Sequence, residues 1–191
     1  MNHLFKIEVL TLFIFTILAI INGQVTVFYI VYLFWFQELM RSIIDLIFIY
    51  KEKKTKNDKI LLIKSAFGSF FILYVYVIFI VVLFGLMLNW GDEKLMYQNI
   101  SVILFKNWYF NFNIIAFVAQ YAYYRNHAEN STLELRIFNR RHIILHLSVI
   151  IGGLIQMSIV PRLNLDNSWN AAIVIIPFLL LKVLLDKPKS A

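Results

Sequence analysis

The chain has no cysteine, only six glycines and three prolines, and charged residues make up just 15% of its 191 positions. Without cysteine there is no disulfide, no thiolate nucleophile and no Cys-ligated zinc or iron–sulfur site. The scarcity of charge excludes a soluble domain of this size, whose exterior would need far more. What fills the chain instead is apolar: 61% hydrophobic residues, 18 Phe among them, and a mean hydropathy of +0.74. In a bilayer that excess becomes lipid-facing surface. Residues 1–191 therefore read as one integral membrane domain, with too little polar sequence left over for a second unit.

A spanning helix needs about 20 mainly apolar residues. Runs of this kind lie at 4–21, 25–50, 66–89, 100–124, 143–160 and 170–186, so the expectation is an all-α bundle of about six transmembrane helices. The first run has the length of a signal peptide, but no small-x-small cleavage site follows and another apolar run begins at once. It reads as a retained span. The fourth run is unusually polar, carrying Lys106, Asn107, Asn111, Asn113 and Gln120. Its outer part could instead lie at the interface, leaving 108–124 as a short span. Pro161 stops the fifth run and Pro177 interrupts the sixth.

Charge in the connecting segments sets the orientation. Lys51, Lys53, Lys54, Lys56, Lys59 and Lys64 lie between spans two and three, and Arg125, Arg136, Arg140 and Arg141 between spans four and five. Lys187 and Lys189 follow span six, whereas the opposite side has only Lys94 and Arg162. The positive-inside rule then puts both termini in the cytoplasm. The net charge of +7 is accordingly topological and implies no nucleic-acid partner. Trp90, Tyr97 and Trp169 would mark the outer interface, and Tyr50, Tyr121, Tyr123 and Tyr124 the inner one. The expected location is a prokaryotic cytoplasmic membrane, with the lipid bilayer as partner and a small molecule or ion as substrate. Oligomeric state is not written in this pattern.

The sharpest polar feature lies in span two. Glu38, Arg41, Ser42 and Asp45 are spaced i,i+3 and i,i+4, so they share one helix face. Glu38 sits roughly 18 Å along the helix from Tyr50, at about 1.5 Å per residue, too deep to snorkel out. A charge at the bilayer centre costs at least about 2.5–3.5 kcal/mol, so this stripe must face protein or water. It is either an internal ion-pair ladder that orients the helix or a site for a substrate, ion or proton.

His142 and His146 stand one turn apart at the start of span five. No acidic residue lies between them as in a zinc-protease helix, so a hydrogen-bonded role is expected rather than a metal, and no cofactor is implied. Lys106, Asn113 and Gln120 recur at seven-residue intervals on span four, a pattern of interhelical glue in which Asn113 matches Glu38 in depth. Asp45, Gln120 and His146 each lie about one turn inside a helix end and are expected to converge in the cytosolic third. Ser148, Gly152 and Gln156, beside Gly153, form a close-packing stripe.

Several enzyme chemistries are absent. Gly68-Ser69 lacks the Gly-x-Ser spacing of rhomboid proteases, and the single Glu38 cannot supply the paired glutamates of CAAX-type intramembrane proteases. Four His are too few for a membrane hydroxylase or desaturase, and no glycine-rich phosphate loop exists. Phe34-Trp35-Phe36-Gln37-Glu38, running on to Asp45 and the lysines, resembles the aromatic-aromatic-x-Glu signature in an early helix of an uncharacterised prokaryotic membrane family, a domain of unknown function. That resemblance implies a polytopic membrane architecture and an emphasis on Glu38. Three functions follow as expectations: a small transporter or permeability protein using Glu38, Arg41 and Asp45; a membrane enzyme with a cytosol-facing pocket of Asp45, His142 and His146; or an accessory subunit whose polar residues only pack helices.

Overall fold

The computed structural model describes residues 2–51, 56–127 and 140–158. Among these the protein is helical, without strands. The elements are α1 (Asn2–Ile21), α2 (Val27–Lys51), α3 (Lys56–Ile80), α4 (Glu93–Ile103), α5 (Trp108–His127) and α6 (Arg140–Ser158). A π-helical turn, Val81–Leu86, and a 3-10 turn, Met87–Asn89, extend α3. Among the described residues three stretches are long and apolar enough to cross a membrane: Val27–Phe48, Ile63–Asn89 and Glu93–His127, the last comprising α4, a sharp turn and α5. Leu10–Ile21 is a shorter apolar helix. The expected sixth span at 170–186, with Pro177, lies outside the described residues, as do Lys53, Lys54, Arg136, Pro161, Arg162, Trp169 and the tail lysines.

α2 is the central helix. It packs against α3, α5 and α6, while α1 packs on α5. Val25 and Phe28–Leu33 are buried, with Leu73, Ile80 and Phe84 contributed by α3 and its extension, Phe110 by α5, and Leu145 and Val149 by α6. Phe67, Phe71, Tyr74, Val75, Ile78 and Phe79 on α3 are exposed instead. A helix apolar on its core face and on its outer face alike belongs in lipid, not in water.

The end of the bundle that the charge pattern predicts to face outward, hence termed the outer end, is fixed by local chemistry. α1 stops because Gly23 adopts a positive φ of 63°, closing the turn with bonds from Gly23 N–H to Ile20 O (2.9 Å) and Gln24 N–H to Ala19 O (2.9 Å). α4 ends in the same paired-bond turn, from Phe105 N–H to Val102 O (3.1 Å) and Lys106 N–H to Ser101 O (2.8 Å). There the left-handed position, usually glycine, is Phe105 at φ 56°. This turn interrupts the expected fourth span: its first four residues, 100–103, belong to α4, Lys106 and Asn107 lie in the turn, and α5 starts at Trp108.

Side-chain amides then tie the outer segments together. Asn99 is fully buried; its Nδ2 donates to Gly85 O (3.1 Å) and Phe84 O (3.4 Å), and its Oδ1 accepts from the Thr26 hydroxyl (2.7 Å). Thr26 Oγ1 also accepts from Tyr29 N–H (3.1 Å), which caps α2. Asn107 caps α5 by accepting from Phe110 N–H (3.1 Å) and donates to Gln24 O (3.2 Å). Gln98 donates to Gly23 O (2.8 Å), and Asn89 to Phe84 O (2.7 Å). Helix-end carbonyls lack partners within their own helix, and these amides supply them.

Candidate functional site

Contacts between α2 and α5 advance in the same direction along both chains. Tyr32 stacks on Phe110 (centroids 5.5 Å apart), the Arg41 guanidinium lies 5.0 Å from the Phe117 ring centroid, and Tyr121 reaches Asp45. The two helices are therefore parallel. Each presents a four-residue repeat to the other: Gln37, Arg41 and Asp45 on α2, and Asn113, Phe117, Tyr121 and Arg125 on α5.

The inner half of this seam is ionic. Glu38 Oε2 lies 3.8 Å from Arg41 Nη1, an ion pair longer than a charge-assisted hydrogen bond. The Arg41 guanidinium also faces Tyr121, 5.6 Å from its centroid, where a desolvated cation over rings gains about 2 kcal/mol. The Tyr121 hydroxyl donates to Asp45 Oδ1 (2.8 Å), and Arg125 Nε stands 3.4 Å from the same oxygen. Glu38, Arg41 and Arg125 are all buried. Two carboxylates and two guanidiniums sum to zero, which offsets the cost of taking each charge out of water.

α1 closes the seam on one side. A cavity of about 10 Å³ lies between α1, α2 and α5, lined by Thr11, Leu12, Gln37, Asn113, Phe117 and Gln120. Gln120 Nε2 donates to Thr11 Oγ1 (3.0 Å), and Asn113 Nδ2 donates to the Tyr29 hydroxyl (3.0 Å). Towards the outer end, rings take over from polar groups. Phe110 meets Tyr29 edge-on (5.6 Å) and Phe36 (6.0 Å), and Phe105 meets Phe36 edge-on (5.4 Å).

The structure thus brings Glu38, Arg41 and Asp45 onto one interface and sets Asn113 and Gln120 on one cavity. It gives them different partners from those expected in several places. Asn113, matched to Glu38 in depth by the sequence, bonds the Tyr29 hydroxyl. Tyr121 is not an interfacial ring but a buried one, drawn inward by Arg41 and Asp45. Asp45, Gln120 and His146 spend their polar atoms on separate helices. His146 Nδ1 pairs with the Tyr76 hydroxyl of α3 (2.8 Å), Gln120 bonds α1, and Asp45 bonds α5. The position of the His142 side chain lies outside the described residues, as do those of Ser148 and Gln156.

Three participants escaped the sequence reading. Arg125 reads from sequence as part of a basic loop, although it continues the line Asn113, Phe117, Tyr121 by one further step of four. Gln37, next to Glu38, carries no signal of its own in the sequence. Asn99 falls between the predicted spans, and only the intact α4 makes it a buried clamp. No group of three or more His, Cys, Asp or Glu suited to a metal ion occurs among the described residues. No family model, no curated protein and no solved structure matches this chain.

Proposed function

We propose that this chain is a six-span protein of a prokaryotic cytoplasmic membrane, with both termini inside, that moves protons or a small cation along the α2–α5 seam. One observation carries the reading. A stripe of buried Glu38 and Arg41 and largely buried Asp45 continues through Tyr121 into Arg125 at the basic end of α5. Ionisable residues at such depth are rare, and they line ion pathways and proton relays. The cavity of about 10 Å³ beside the stripe has room for a water-sized species and not for an organic solute. The outer rings close the seam, so transport requires them to part.

The test is proton flux into liposomes containing the purified protein, followed with an entrapped pH-sensitive dye. Wild type should dissipate an imposed gradient. Glu38→Gln should lose the flux. Because it removes one carboxylate from a balanced buried set it should also lower thermal stability, so flux is compared at a temperature where the variant is still folded. A well-folded Glu38→Gln protein with wild-type flux removes the transport reading. It would leave the accessory-subunit reading, which the zero net charge of the four side chains favours.

Orientation is tested separately. A cysteine introduced at Lys54 should be labelled by an impermeant reagent only from the cytoplasmic side, and one at Asp92 only from outside. Labelling of Lys54→Cys from outside overturns the topology.

A further inference from the structure

We infer that the space between α1, α2 and α5 is a binding site for one water molecule, which completes the polar lining of the seam between Asn113 and Gln120. The volume is the first argument: about 10 Å³ is the least that holds a single water. The second is an orphaned acceptor. Gln120 Oε1 is buried and has no hydrogen-bond partner among the described residues, although Gln120 Nε2 is engaged by Thr11. In a bilayer an unmet carbonyl has no bulk solvent to turn to, and leaving one buried costs about 1–3 kcal/mol. The third is the lining itself. A buried water takes two to four polar partners, and Thr11, Gln37, Asn113 and Gln120 converge on the space. An empty cavity would be walled by apolar side chains instead.

The same lining excludes a resident metal ion. Divalent ions of the calcium and magnesium type need about six oxygens, with carboxylates among them. These four polar side chains are neutral, and the remaining walls are Leu12 and Phe117. The site's existence does not depend on ion movement through the seam. Its role as a proton-carrying link does rest on that reading.

The experiment is a structure of the full chain in lipid nanodiscs at a resolution that orders solvent, for wild type and for Gln120→Met. Wild type should have one density peak within hydrogen-bonding distance of Gln120 Oε1 and of at least one more polar atom. Gln120→Met, which fills the space and removes the acceptor, should lose it. An empty space in wild type overturns the inference, as does a peak that persists unchanged in the variant. A peak with a full shell of oxygen ligands whose height follows exchange of sodium for potassium overturns it too, in favour of a cation. The wild-type structure decides the matter even if the variant does not fold. A peak without proton flux would leave the water site standing and remove the transport reading, and flux without a peak would do the reverse.

Discussion

The outer and inner ends of α2 are secured by opposite chemistries. At the outer end, neutral amides of Gln98, Asn99 and Asn107 grip main-chain carbonyls of other segments. At the inner end, Arg41, Asp45, Tyr121 and Arg125 grip one another's side chains. A bond to a carbonyl fixes where a backbone is. A bond between two long side chains allows rotamers, and the helices carrying them, to readjust. The outer end is therefore built for position and the inner end for electrical balance, and the two should fail differently when cut.

Arg41→Ala should be the most damaging single change. It takes the guanidinium from Glu38 and from the faces of Phe117 and Tyr121, and breaking a buried pair costs about 3–5 kcal/mol. Thermal unfolding in detergent measures this, and Arg41→Met, which keeps an apolar stem against the rings, should lose less. Asn99→Ala comes next. It takes this amide from the Gly85 carbonyl and from the Thr26 hydroxyl, whose oxygen keeps the Tyr29 N–H, and the loss should be about 1–3 kcal/mol in all. A larger loss for Asn99→Ala than for Arg41→Ala would invert the comparison and make the outer clamp the dominant constraint.

How far the sequence could be read follows the same division. Glu38, Arg41 and Asp45 were legible because their spacing on one continuous helix needs no knowledge of neighbours. Arg125 was hidden by its charge: a basic residue after an apolar run looks like a topology signal, and only packing against α2 reveals it as Asp45's partner. His146 was legible as a hydrogen-bonded histidine, but its partner Tyr76 is 70 positions away and nothing local points to it. The break at Phe105 was half visible in the polarity of the fourth run. Its left-handed turn was not, since that conformation is ordinarily signed by glycine.

The smallest expected effect tests that turn. Phe105→Gly relieves a backbone conformation that costs a side-chain-bearing residue of order 1 kcal/mol, and forfeits a half-exposed ring resting on Phe36 and Phe110. The two terms oppose each other, so the net change in stability should stay under about 1 kcal/mol. A loss well above that in the same unfolding assay would make the ring a structural anchor of the outer closure.

The π-helical turn at Val81–Leu86 has a consequence for how this protein can vary. Such a turn is where a chain carries one residue more than an α-helix would use. Omitting that residue would swing everything beyond it by about 100° around the helix axis, since an α-helix makes one turn in about 3.6 residues. Asn89 would leave the Phe84 carbonyl, and the chain leading into α4 would set off from the wrong face, taking Asn99 with it. Lipid-facing residues of α3 such as Phe71 or Ile78 can be exchanged for other apolar ones at small cost. In this stretch the number of residues matters more than their kind, and a single-codon deletion should be worse tolerated than nearly any substitution.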